Sequence, residues 1–180
     1  MPTFPPSPAL SSTGRVALVC ADRGAEPVRR AAGAALAELQ QALPTSAAVD
    51  TFEVASLTEA PLLAKKLARS GRYRAIIACG LQPAQGPGTA GDGGPTVEDA
   101  LRRVSCDTAV PVFPALLVVP CQPAAGMPQG LIPARMAQQG QLAAQDCVRS
   151  LMGAAAGTAT VALPGPEMGA GDPAAVQAMG

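Results

Sequence analysis

The sequence predicts an α/β fold, a three-layer sandwich in which helices cover both faces of a short parallel sheet. Three observations predict it. Short β-forming runs alternate along the chain with longer stretches of helical periodicity, the order expected of parallel strands joined by crossover helices. Two of the runs, RVALVCA at 15–21 and RAIIACG at 74–80, are almost wholly apolar, as strands covered on both faces are. Between 49 and 80 the chain reads strand, helix, strand, a βαβ unit that closes right-handed and parallel.

Composition limits the alternatives. The 180 residues suffice for one domain with a real core, and 13 basic residues balance 13 acidic ones without clustering. That balance, with 2% aromatic residues, gives neither a basic footprint nor stacking platforms, so no nucleic-acid partner is expected. No apolar run approaches the ~20 residues of a membrane span, and no membrane partner is expected. The five cysteines (Cys20, Cys79, Cys106, Cys121, Cys147) are widely spaced, and the chain has no histidine. No metal site is therefore expected, and no cofactor is called for. Cys20 and Cys79 lie inside apolar runs as buried reduced thiols, which points to the cytoplasm or another reducing compartment.

In chain order, residues 1–14 are rich in Pro and Ser and are expected to form an arm without structure of its own. They carry no basic side chain, so they fit neither a secretory signal nor an arginine-rich transit peptide. The domain proper is expected over 15–152. Arg15–Ala21 is its first strand, and Asp22-Arg23-Gly24 turns the chain into a long helix over 26–43, with Pro27 near its start and Pro44 past its end. Val28, Ala31, Ala32, Ala35, Leu36 and Leu39 form its core-facing stripe. VDTFEV, 49–54, is the second strand. Thr58 is the expected N-cap of the next helix, with Leu62, Leu63 and Leu67 on one side and Lys65, Lys66 and Arg69 in solvent.

Gly71 stops that helix, and the third strand leads into a Gly-rich loop over 81–95. Such a loop at the C-terminal end of a buried parallel strand lies where open α/β sheets hold ligands. Thr96 and Asp99 mark a capping box for a helix over 96–104. A fourth strand, bent at Pro114, is expected over 110–119, and a Pro/Gly loop over 120–133 follows. A terminal helix over 134–152 offers Met136, Leu142, Cys147, Leu151 and Met152 for packing. Residues 153–180 are rich in Ala, Gly and Pro and are expected to be a disordered tail.

The segment Val54-Ala55-Ser56-Leu57-Thr58-Glu59-Ala60-Pro61, followed without a gap by LARSGRYRAIIACG, resembles the lumazine synthases. That family has a valine-proline-glycine turn, then a bulky residue, glutamate, a hydrophobic residue and proline. Over 15–152 the resemblance implies a flavodoxin-like sheet of strand order 2-1-3-4. It also implies a homo-oligomer, a pentamer or larger shell, on which the N-terminal arm lies against a neighbour.

The activity it implies is the condensation of a ribitylamino-pyrimidine with butanone phosphate to give 6,7-dimethyl-8-ribityllumazine. By that resemblance Glu59 would contact the ribityl chain, Gly86, Gly88 and Thr89 would cradle the phosphate, Arg135 would meet its charge, and Arg23 would stack on the pyrimidine. The chain departs from the family pattern at the turn, where Ala55 and Ser56 stand for proline and glycine. It also lacks the proton-transfer histidine, the stacking aromatic and a lysine near Gly140. No catalytic residue is therefore assigned.

Two functions of different class follow. One is a catalytically degenerate member, a structural or ligand-binding subunit that assembles with itself or with an active paralogue and holds a pyrimidine or sugar phosphate. The other is an active synthase in which proximity of two substrates supplies most of the rate. An unrelated flavodoxin-like binding module is a third reading.

Overall fold

A computed structural model describes residues 15–43, 48–84, 96–120, 128 and 130–156. The expected arm, residues 85–95 of the expected Gly-rich loop and residues 157–180 of the expected tail lie outside the described residues, whereas 81–83 continue a strand and 153–156 continue the last helix, against expectation. Four parallel strands, β1 (Arg15–Ala21), β2 (Val49–Val54), β3 (Tyr73–Pro83) and β4 (Val112–Val119), stand in the order β2-β1-β3-β4. Each is followed by a helix: α1 (Glu26–Ala42), α2 (Ala60–Arg69), α3 (Val97–Thr108) and α4 (Leu131–Ala156). The expected fold and strand order are therefore those observed.

Alternation along the strands divides the core into two layers. Val16, Leu18 and Cys20 of β1 and Ala75, Ile77 and Cys79 of β3 pack with α1 and α4. Ala17, Val19 and Ala21, with Ile76 and Ala78, pack with α2 and α3 on the other face. The expected α1 stripe is buried at Val28, Ala31, Ala32, Ala35 and Leu39, with Leu36 packed half-buried beside it. Losing a side chain such as Leu39 to alanine would cost about 2–5 kcal/mol in transfer and cavity terms.

Three local expectations are corrected. In α2 the buried stripe is Ala60, Ala64 and Ala68, while Leu63 and Leu67 flank it and Leu62 is 60% exposed. Alanines let the helix axis approach the sheet, and Leu63 and Leu67, one turn apart, pack half-buried along one side of them. Thr58 is not the N-cap: Ser56 Oγ accepts from its amide at 3.4 Å, and the chain passes through a 3₁₀ turn, Leu57–Glu59, before α2 begins. In α4, Met136 and Cys147 are buried and Leu151 packs against the core, but Leu142 and Met152 are exposed, and Ala143, Ala144 and Val148 take their places. This helix starts before Pro133, which is tolerated because first-turn amides have no helical partner.

The close approach of α4 to α1 depends on Gly140. A Cβ there would stand 2.7 Å from the carbonyl carbon of Ala31, so any side chain would force the two backbones apart. Strand β4 starts at Val112, and Pro114 sits opposite Ala78 with no shift of register. That is possible because, among the described residues, β4 is an edge strand with β3 as its one neighbour in the sheet. The capping box is present as expected: Thr96 Oγ1 accepts from the Asp99 amide at 3.1 Å, and Asp99 Oδ2 accepts from the Thr96 amide at 3.1 Å.

Candidate ligand site at the C-terminal edge of the sheet

Because each helix follows a strand, all four helix N-termini gather at the C-terminal end of the sheet. Their unpaired amides and partial positive charge favour anionic groups there. The strand ends are locked together by main-chain bonds. Ala21 pairs with Val54, and the Asp22 amide donates to the Val54 carbonyl at 3.0 Å. Asp22 itself has φ 54°, a left-handed conformation that Asp tolerates better than most side chains, and its carbonyl accepts from the Ala25 amide at 3.0 Å. The turn so formed holds Arg23 exposed just above β1.

Beside it, the turn after β2 carries Glu59. Ser56 Oγ and Thr58 Oγ1 lie 2.9 Å apart, and the Glu59 amide donates to the Ser56 carbonyl at 3.1 Å. Leu57 anchors this turn by lying over Gly80 of β3, where a Cβ would come within 2.5 Å of Leu57 Cδ1 and 3.3 Å of Ala21 Cβ. Gly80 thus sets the height of the Glu59 turn, a role visible only once the strands are in register. Glu59 is exposed, stands at the N-cap position of α2 and makes no capping bond with its side chain.

Of the residues expected to bind substrate, Arg23 and Glu59 come to the same edge on adjacent turns. Arg135 is exposed in the first turns of α4, across the sheet from α2. No hydrogen bond or ion pair joins it to Arg23 or Glu59 among the described residues. Gly86, Gly88 and Thr89 lie outside the described residues. A shallow cleft of about 180 Å³ between the N-terminal ends of α1 and α4 is lined by Glu26, Arg30, Gly130, Pro133, Ala134 and Ala137. Sequence reasoning did not find it, because it forms from two helix ends distant in the chain. Its two charges are already paired, Arg30 Nη2 to Glu26 Oε1 at 3.3 Å. Among the described residues no group of three His, Cys, Asp or Glu could hold a metal ion, and no helix is long and apolar enough to cross a membrane.

Comparison with known proteins bears on this edge. Residues 13–153 match the model of a family described as 6,7-dimethyl-8-ribityllumazine synthase. A protein of that name from Rhodococcus erythropolis is 46% identical over 69 residues, which is 38% of this chain and 44% of the relative. The aligned part thus spans less than half of that relative's length. The family match excludes the reading of an unrelated flavodoxin-like module.

Proposed function

Because the chain belongs to the 6,7-dimethyl-8-ribityllumazine synthase family of riboflavin biosynthesis, we propose that it is a catalytically degenerate member. In this reading it is a structural or ligand-binding subunit that holds a pyrimidine or a sugar phosphate at the C-terminal edge of its sheet. One observation carries the proposal: the chain has no histidine, the one side chain whose ordinary pKa lies between about 5 and 8. A proton relay working near neutrality has no evident carrier, while Arg23 and Glu59 still face solvent on adjacent turns. Arg23 would lie against the pyrimidine, Glu59 would accept from ribityl hydroxyls, and Gly86, Gly88, Thr89 and Arg135 would meet the phosphate. The assembly would be a homo-oligomer, a pentamer or larger, or a mixed shell with an active paralogue. The thiols of Cys20, Cys79, Cys106 and Cys147, free of disulfides, suit a reducing compartment.

A second reading, the active synthase, is favoured by the retention of Glu59 and Pro61 at the family positions and by chemistry that rests mainly on holding two substrates together. One experiment separates the two. Purified chain is mixed with the ribitylamino-pyrimidine and butanone phosphate, lumazine fluorescence is followed against the spontaneous rate, and pyrimidine binding is titrated in parallel. The proposal expects saturable binding, weakened by Glu59→Ala, with product formed at the background rate. Product formed above background and lost in Glu59→Ala would overturn degeneracy, and absence of any binding would leave only the structural role. Sedimentation velocity reads the assembly from the same preparation.

A further inference from the structure

Below the candidate site two thiols face each other across the central strands. Cys20 of β1 and Cys79 of β3 are register partners on adjacent parallel strands. Paired positions of this kind lie about 4.8 Å apart, within the span of about 4.4–6.8 Å between the Cα atoms of a disulfide. Both side chains point to the α1/α4 face and belong to one packed cluster. They are 0% and 1% exposed, and neither is in a disulfide.

The two thiols are not equivalent. The adjoining Cys79 thiol, and then the nearby Arg23 guanidinium, lower the Cys20 pKa against the opposing effects of burial and Glu53. The adjoining Cys20 thiol and burial push Cys79 well up. Cys147, in the same cluster, has burial alone acting on it and is pushed up to about 12. Cys20 is also near solvent along the chain, since the exposed turn Asp22-Arg23-Gly24 begins two residues later.

We propose that Cys20 and Cys79 are a dithiol oxidation site, which peroxides convert to a disulfide tying β1 to β3 beneath the ligand edge. Local opening of the turn after β1 admits the oxidant. The Cys20 thiolate attacks one peroxide oxygen, the O–O bond breaks, and Cys20 becomes a sulfenic acid while the other oxygen leaves and takes up a proton as alcohol or water. The Cys79 sulfur then attacks Cys20 Sγ, the S–O bond breaks, and hydroxide leaves with the Cys79 proton as water. Two thiols and one peroxide thus give one disulfide, one alcohol or water from the peroxide, and one further water. A small dithiol reductant reverses the change. The strands β1 and β3 would then be joined covalently near the edge, whatever ligand it binds.

The test uses the full chain, reduced and then exposed to hydrogen peroxide near neutral pH. Free thiols are alkylated under denaturing conditions, and tryptic peptides are read by mass spectrometry. Cleavage after Arg15, Arg23, Arg74 and Arg102 places Cys20 alone in 16–23 and Cys79 alone in 75–102. The expected product is these two peptides joined with the loss of two hydrogens, released by dithiothreitol, with Cys147 still alkylated. Cys147→Ala should leave the yield of the joined pair unchanged. Cys79→Ala should abolish it and leave Cys20 as sulfenic or sulfinic acid. Recovery of both peptides alkylated, or of wild-type Cys20 as sulfinic acid beside a free Cys79, would overturn the proposal. The wild-type digest decides this even where a variant fails to fold.

Discussion

The two ends of the sheet handle their polar groups in opposite ways. At the N-terminal end Asp50 of β2 accepts from Arg15 Nε at 2.7 Å and from the Tyr73 hydroxyl at 2.9 Å, so one carboxylate ties the starts of three strands. Phe52 packs edge-on against the Tyr73 ring with centroids 5.8 Å apart, and the Arg72 guanidinium lies 6.0 Å from that ring's centroid. The C-terminal end has the same residue types on offer, but the side chains of Arg23 and Glu59 take part in no hydrogen bond or ion pair among the described residues. A closed end uses its charges to hold the fold, and an open end leaves them for a ligand. The difference gives each end its own signature on mutation.

The largest effect belongs to the closed end. Asp50→Ala removes three charge-assisted bonds, two from Arg15 and one from Tyr73, and leaves the Tyr73 hydroxyl, on a residue only 5% exposed, without that partner. A loss of about 2 kcal/mol in urea unfolding is expected, toward the lower range for such bonds because solvent reaches the pair. The same carboxylate sets a pH dependence. Hydrogen bonds from Arg15 and then Tyr73 hold the Asp50 pKa below the usual carboxylate range. Its contribution is therefore complete above the unfolded-state value of about 3.9 and is lost as pH falls through the lower folded value. Asp50→Asn should be less stable than the parent at neutral pH and converge with it in acid. Equal gaps at both pH values would break the contrast between the ends.

A smaller effect is expected where an open-end group has become structural. Thr96 and Asp99 cap α3 at the ligand edge, and Thr96→Ala should cost about 1 kcal/mol. Asp99 already has its pKa lowered by its bonds to Thr96, so it is committed to the cap. The loss should appear in unfolding and leave pyrimidine binding unchanged. A change in binding without a change in stability would move this residue to the ligand side of the division.

Much of this division was legible in the sequence, though unevenly. The strands, their order and the Thr96 box followed from local pattern and from the resemblance around 54–80. The leucines of α2 misled because periodicity reports which residues share a side, not how near the helix axis comes to the sheet. At this packing distance Ala60, Ala64 and Ala68 fill the contact and Leu62 is left outside. Gly140 and the Asp50 tie were invisible for a related reason. Each acts across a long stretch of chain, Gly140 on Ala31 and Asp50 on Arg15 and Tyr73, and no spacing in the sequence marks such a pair. At the site, the Arg23 and Glu59 turns came from strand ends that could be read, while the cleft beside α4 required the folded arrangement of two helix termini.

The smallest expected effect is the most diagnostic. Glu59→Gln keeps the shape of the side chain and removes its charge at an exposed position with no side-chain partner among the described residues. A carboxylate at a helix N-terminus interacts favourably with the dipole by about 0.3–1 kcal/mol when exposed. Because Glu59 is exposed, the loss should sit at the low end of that range, and the variant should unfold within about 0.5 kcal/mol of the parent. If Glu59 faces a ligand, a change this slight in stability should accompany a much larger one in pyrimidine affinity, on the order of tenfold for one lost charge-assisted bond. Asp50→Ala should do the reverse, lowering stability while sparing affinity in the folded fraction. Measuring both quantities on both variants tests the contrast directly, because a shared pattern would mean that the two ends serve one purpose.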